Sequence, residues 1–334
     1  MKVLLTGGSG FIAAHILDQL LEHGHDVVTT VRSEEKGRKI LENHKGVPQR
    51  KLSYVIVKDI AEEGAFDEVV VSDPPFDAVI HTASPYHFNI TDPKKDLLDP
   101  AIIGTTEILK AIKASAPNVK RVAITSSFAA ITNPKNHPRI YSEEDWNPVT
   151  MEEALEDPVS SYRASKTFAE RAAWDFVRNE KPNFELATLC PPLVFGPVIH
   201  YLNSLQAINT SNARIRDSMQ GKMIDELAPT GSFIWVDVRD LAIAHVKAIE
   251  IPEAAGKRFF VTAGHTCNRD IAECIRKNFP ESRSQLPPES TEGDIQGEVY
   301  KYDNSRSRKI LGLEYRSLEE CVKDTVKSLH AVGA

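Results

Sequence analysis

Tyr162 and Lys166 stand four residues apart in Tyr162-Arg163-Ala164-Ser165-Lys166. That spacing puts both side chains on one face of a helix. A phenol beside an ammonium is chemistry for moving a proton onto oxygen, which reduction of a carbonyl requires. Free tyrosine titrates near pH 10, too high for efficient transfer at neutral pH. A neighbouring ammonium favours the phenolate and lowers that value, each unit being worth about 1.4 kcal/mol. Upstream, Thr125-Ser126-Ser127 closes an apolar run. Ser127 there offers a hydrogen bond to a substrate oxygen as charge develops on it. Taken singly, these are an ordinary helix-surface pair and an ordinary strand-end serine. In this order, after the turn described next, Ser127, Tyr162 and Lys166 read as a catalytic set.

The turn is Thr6-Gly7-Gly8-Ser9-Gly10-Phe11-Ile12-Ala13, between an apolar strand and an amphipathic helix. Its glycines permit a tight turn and let backbone N–H groups from Gly7 to Ile12 approach a pyrophosphate at the helix N-terminus. Ala13 stands where a third glycine is usual, and its methyl still allows close helix–strand packing. The next strand, Val27 to Val31, ends in Arg32 rather than in the acid that an NAD enzyme carries for the ribose 2′-hydroxyl. Arg32 suits a 2′-phosphate, with Lys36 as a second charge, so the expected cofactor is NADPH. Glu34 and Glu35 lie past the strand tip. By sheet order, Asp59 and Ile60 should lie near the adenine, and Thr82, Ala83 and Ser84 beside the cofactor. Lys166 is also placed to hold ribose hydroxyls.

Positioning these residues takes alternating strands and helices. Strands are expected at Lys2–Thr6, Asp26–Val31, Tyr54–Val57, Ala78–His81, Arg121–Thr125 and Glu185–Leu189. Between them, helices are expected from Phe11 to His23, with Gly24 as C-cap, from about Asp96 to Ser115, and from Ser160 to Arg178. This alternation implies an α/β Rossmann fold, a doubly wound parallel sheet with helices on both faces. After Pro191 the pattern loosens. His200 to Met219 reads as helical, Phe233 to Val238 as a strand, Asp240 to Glu250 as a helix and Lys257 to Val261 as a late strand. Ile271–Asn278 and Leu318–Leu329 read as surface helices, and Ser282–Gly297 as loop. Residues 1–190 are therefore expected to form the NADP-binding domain, with 232–262 returning to it. Residues 191–231 and 263–334 would form a smaller, interleaved substrate-binding lobe. The proline-rich stretch from Asn133 to Pro158 reads as a long excursion within one domain.

The chain has 334 residues, 41% hydrophobic and 26% charged, with a formal net charge of -7. That is the composition of an ordinary globular protein. The acidic balance argues against a nucleic-acid partner. The first apolar run, Val3 to Leu5, is too short for a signal h-region or a membrane span. Cys190, Cys267, Cys274 and Cys321 form no CxxC pair and fit no zinc spacing. No metal and no membrane partner are expected, a cytoplasmic location is, and the chain should be a monomer or homodimer.

These motifs resemble those of the extended short-chain dehydrogenases/reductases. Within them the chain resembles the fungal NADPH-dependent methylglyoxal/3-methylbutanal and carbonyl reductases, relatives of the plant dihydroflavonol reductases. Besides the turn and the Tyr162–Lys166 helix, the resemblance is carried by Val31-Arg32-Ser33, His81-Thr82-Ala83-Ser84-Pro85, Thr125-Ser126-Ser127, Glu144-Asp145-Trp146-Asn147-Pro148, Phe195-Gly196-Pro197 and Trp235 to Asp240. It implies Ser127, Tyr162 and Lys166 as catalytic residues. It implies cofactor contacts at Arg32, Lys36, Asp59, Ile60, Pro191, Val194 and Ser211, and a small-molecule aldehyde or ketone as substrate. By position, Tyr86, Phe128 and Tyr201 are pocket candidates, and they are equally suited to a plain aromatic core. Two other readings compete. One is an NAD-retaining nucleotide-sugar epimerase or dehydratase, for which Arg214, Arg216 and Lys222 would be the diphosphate cations. The other is a silent NADP-binding sensor, which would be expected to have lost the tyrosine or the lysine.

Overall fold

The computed structural model describes residues 1–84, 92–202, 204, 207–295 and 297–333. Strands β1 (Lys2–Thr6), β2 (Asp26–Val31), β3 (Leu52–Ile56), β4 (Ala78–His81) and β5 (Arg121–Thr125) alternate with helices α1 (Phe11–Glu22), α2 (Glu34–Asn43) and α3 (Asp99–Ser115). A two-residue strand β6 (Ile140–Tyr141), helix α4 (Pro158–Glu180) and strands β7 (Glu185–Cys190) and β8 (Leu193–Phe195) follow. Then come α5 (Thr210–Met219), β9 (Ile234–Asp237), α6 (Val238–Glu250), β10 (Lys257–Phe260), β11 (Gly264–His265), α7 (Asn268–Asn278), β12 (Lys301–Tyr302), α8 (Ser305–Ile310) and α9 (Leu318–Ala331).

Seven strands form one parallel sheet in the order β10-β7-β5-β4-β1-β2-β3. Both faces are covered over the central strands, so the interiors of β1, β4 and β5 are apolar rather than alternating. Val3 and Leu5 of β1 enter a core with α1 and α6, whereas Leu4 between them enters the opposite core with α3. This is the two-residue side-chain period of a strand at work. A third cluster packs α5, α7 and α9 against Phe195 and Trp235.

Several expectations need amendment. The expected helix from His200 to Met219 is helical only from Thr210, and the described residues before it are irregular. Helix α2, absent from the sequence reading, starts at Ser33, whose hydroxyl accepts from Lys36 N. The strand expected at Phe233–Val238 pairs not with the main sheet but with β8 and β11. Only β10 carries that late segment back to the seven-stranded sheet. The excursion between β5 and α4 is tied down by β6, which pairs with β12.

Helix α4 has strong end signals. Asp157 Oδ1 accepts from Val159 N (2.8 Å) and Ser160 N (3.0 Å), Pro158 occupies its first position, and Lys181 ends it in a left-handed conformation. At the opposite end of the sheet, His23 and His25 both meet Glu250 Oε1, at 3.0 and 2.7 Å, joining the α1–β2 turn to the end of α6. Among the described residues, no helix is long and apolar enough to cross a membrane.

Candidate active site

The carboxyl ends of β1, β2, β4 and β5 open into a cleft of about 970 Å3, walled on the other side by Pro191, Val194, Ile199 to Leu202, Thr210 and Ser211. A doubly wound sheet places ligands at this edge, where strand order reverses.

One wall is the turn after β1. Gly7 has φ +76°, and its N–H donates to Thr30 Oγ1 (3.1 Å). A Cβ on Gly8 would stand 1.9 Å from Thr29 Oγ1, so the close approach of the turn to β2 admits only glycine. Gly10 caps α1 without a side chain, and Gly10 to Ala14 line the cleft. The positive end of the helix dipole therefore faces into it. Opposite, His200 contributes a buried Nδ1 with no hydrogen-bond partner among the described residues. Burial, then the charge of His15, pushes that imidazole down to about 4. An orphaned polar atom facing an anion-friendly turn fits a phosphate-bearing ligand.

Beyond the turn, Arg32, Lys36 and Lys39 line the cleft. Glu34 is turned away and bound by Tyr54, whose hydroxyl donates at 2.6 Å. Asp18, the acid lining this end, accepts from His44 at 2.8 Å. The end is thus cationic, and the fit is to a 2′-phosphate rather than to a bare ribose.

At the other end, Ser127, Tyr162 and Lys166 line the same cleft. Ser127 caps the short turn Phe128–Ala130, its oxygen accepting from Ala129 N (3.1 Å), which leaves its proton free to donate. Lys166 is half-buried, donates to Ser84 Oγ (2.9 Å), and is pushed by burial down to about 8. Behind it lies His81, which burial and then the lysine charge hold down at about 3. Its Nδ1 meets Thr6 Oγ1 at 2.9 Å. That oxygen already accepts from Thr82 N and Ala83 N, so it donates to the ring.

The cleft gathers most of the residues singled out from the sequence. Gly7, Gly8, Ser9, Gly10, Phe11, Ile12, Arg32, Lys36, Ile60, Thr82, Ala83, Ser84, Pro191, Val194 and Ser211 all line it. Asp59 does not: it is exposed and accepts from Ala61 N (2.9 Å), and Val57 and Ile60 face inward instead. Phe128 does not line it either. Its ring stacks on Phe260 (5.4 Å) and meets Tyr141 edge-on (5.2 Å), inside a closed aromatic core. Tyr201 does line the cleft, but at the cationic end, under Lys39 Nζ at 5.2 Å. Tyr86 lies outside the described residues. Lys39 and His200 were missed. Lys39 is the i+3 neighbour of Lys36 on α2, a signal visible only once that helix is recognised. Arg214, Arg216 and Lys222 do not line the cleft. Arg216 and Lys222 pair with Asp217, and Arg214 reaches Asn268 and the Pro229 carbonyl.

A model of the NAD dependent epimerase/dehydratase family matches residues 3–263. Over 98% of its length the chain is 55% identical to the ketoreductase azaE of Aspergillus niger, covering 97% of that protein. It is 36% identical to the NADPH-dependent methylglyoxal reductase GRE2 of Saccharomyces cerevisiae, over 98% of each. The crystal structure of Gre2 from Candida albicans in complex with NADPH superposes with a TM-score of 0.90, at 37% identity and 100% coverage of both chains.

Proposed function

The chain belongs to the NAD dependent epimerase/dehydratase family, and from that premise we propose that it is an NADPH-dependent reductase of aldehydes or ketones. The observation that carries this reading is a single cleft with Ser127, Tyr162 and Lys166 at one end and Arg32, Lys36 and Lys39 at the other. Relatives named as a ketoreductase and an NADPH-dependent methylglyoxal reductase match nearly the whole chain, which supports it over an epimerase or a silent sensor.

The glycine turn and the first amides of α1 would hold the pyrophosphate, and Arg32 and Lys36 the 2′-phosphate. NADPH, when bound, supplies the hydride that reaches the carbonyl carbon. The side chains handle the oxygen. Ser127 donates a hydrogen bond to it and so stabilises the charge that builds there. The Tyr162 O–H bond breaks as its proton moves to that oxygen, which completes the alcohol. The phenolate left behind is stabilised by the Lys166 ammonium until a solvent proton restores the phenol.

The test follows NADPH and NADH absorbance against a panel of aldehydes, diketones and prochiral ketones. Wild-type protein should oxidise NADPH with at least one carbonyl and strongly prefer it to NADH. Tyr162→Phe should lower kcat by about 10²–10⁴-fold, the range of general acid catalysis, while still binding NADPH. Arg32→Ala should raise the NADPH KM by about tenfold or more, from loss of a charge-assisted hydrogen bond. A folded protein that turns over no carbonyl with either nucleotide overturns the proposal.

A further inference from the structure

Glu170 lies one helical turn beyond Lys166 on α4, so Tyr162, Lys166 and Glu170 follow one another along one face. The first two reach the cleft, whereas Glu170 is 2% exposed beneath the sheet. A buried carboxylate persists only when its oxygens are satisfied, and here both are. Oε2 accepts from Ser126 Oγ at 2.6 Å, and Oε1 from Thr188 Oγ1 at 2.7 Å. Arg258 grips both oxygens, Nε at 2.8 Å and Nη2 at 3.2 Å.

Two of these contacts lead back to the catalytic serine. Ser126 immediately precedes Ser127 at the end of β5. Arg258 also donates through Nη1 to the carbonyls of Glu143 (2.7 Å) and Asp145 (2.8 Å), and its guanidinium lies 3.7 Å from the centre of the Trp146 ring. The next residue, Asn147, closes the circuit. Its backbone N–H donates to Ala130 O (2.9 Å) and its Nδ2 to Ala129 O (2.8 Å). Those carbonyls belong to the turn that Ser127 caps. The Glu144-to-Pro148 motif, given no role by the chemistry above, thus holds the far side of that turn.

We propose that Glu170 is a positioning residue: with Arg258 it fixes the Ser127 hydroxyl relative to the Tyr162–Lys166 face of α4, without touching substrate or cofactor. The helix bearing the proton donor and the strand bearing the oxygen-binding serine are then registered through one buried carboxylate, held on β5 by Ser126 and on the 143–147 loop by Arg258. This inference rests on the reductase reading of the same site. Near-attack geometry is steep in distance, a misplacement of about 1 Å costing on the order of 10²-fold in rate. Cofactor binding, set mainly by the other strand ends, should be insensitive to the link.

Steady-state kinetics and NADPH titration by fluorescence would be run on wild type, Ser126→Ala, Glu170→Gln and Thr188→Val, with melting curves for each. Ser126→Ala removes the link to β5 at small steric cost. Thr188→Val removes another donor to the same carboxylate without touching the end of β5. Ser126→Ala and Glu170→Gln should lower kcat by about tenfold or more, within the cost of poor alignment, with the NADPH Kd changed less than about twofold. Thr188→Val should keep kcat within about twofold whatever its melting temperature. If Glu170→Gln fails to fold, the comparison of Ser126→Ala with Thr188→Val still decides. Equal kcat in Ser126→Ala and wild type, or kcat that tracks melting temperature across all variants, overturns the positioning role alone. Wild type without carbonyl turnover overturns the reductase reading, and this inference with it.

Discussion

Two demands meet at Lys166. Its proposed role needs the cation, yet burial pushes the ammonium down to about 8 from its ordinary 10.5. The charged form therefore predominates only below about pH 8, where it is half titrated, and activity that depends on it should fall as pH rises through that value. The effect on stability has the opposite sign. A lysine whose folded pKa is depressed costs the fold most while charged, and that cost is relieved between about pH 8 and 10.5. Alkaline loss of activity should thus occur without unfolding from this group. Lys166→Arg keeps its charge throughout. Its residual activity should be lower at neutral pH, with an alkaline limb at least one unit higher, and melting curves at each pH should show the protein still folded. A limb that stays in place would assign it to another group. Ser127, Tyr162, Lys166 and Arg32 were placed at the cleft from the sequence, through residue type and spacing. Asp59 and Phe128 were expected there too but do not line it. Spacing brings them to strand ends, but side-chain direction there is set by the local turn. One turn sends Asp59 outward and Ile60 in against Gly104. The other buries the Phe128 ring among aromatics contributed by β6, β10 and Tyr300.

The elements that hold the site differ in how plainly the sequence announced them. Strands β1, β2, β4 and β5 were readable as apolar runs because both faces of the sheet are covered. Helix α2 was hidden because six of its ten residues are charged and only Gly37 and Ile40 are buried. Its apolar period is too faint to read, and its one clear sign was the Ser33 cap. The segment before α5 was misread for the opposite reason: scattered apolar residues imitate a helical period, but among the described ones Tyr201 and Ala207 line the cleft while Ile208 is buried against α5, α7 and α9. At the level of elements, the strictest demand falls on the β1–α1 turn. Gly8→Ala places a methyl 1.9 Å from a position already held by Thr29 Oγ1, whose hydroxyl donates to Leu5 O at 2.9 Å inside the sheet. Neither partner can yield without disturbing β2, so the turn must shift. NADPH affinity should fall by about 10²-fold, in line with a displacement near 1 Å at a preorganised site. Titration of cofactor against the variant would check this, and unchanged affinity in a folded variant would mean that the turn does not cradle the phosphates.

At the scale of the whole molecule, the chemistry sits at one edge of the sheet and the fastening at the other. His23 and His25 join Glu250 at the far edge, which closes the α1–α6 layer away from the cleft. The cleft edge, by contrast, is spanned by contacts between segments distant in sequence. His15 Nε2 meets the Pro197 carbonyl at 2.9 Å, His200 lies 5.8 Å from the Phe11 ring, and Tyr201 lies under Lys39. Pro197, His200 and Tyr201 therefore bridge back to α1 and α2 along the cofactor end of the cleft. Tyr201, expected by position to meet the substrate, falls at the end remote from Tyr162. A cation over an aromatic face contributes about 0.5–1 kcal/mol when exposed, or roughly a two- to fivefold change in an equilibrium constant. Tyr201→Ala should accordingly raise the NADPH KM by about that factor, and Lys39→Ala should do the same. The double variant should be less than additive, because the two side chains share one contact. The KM for the carbonyl should move less than the KM for NADPH in each. If Tyr201→Ala instead raises the carbonyl KM and leaves NADPH unaffected, the ring serves the substrate, and the bridge across the cofactor end contributes nothing to holding it.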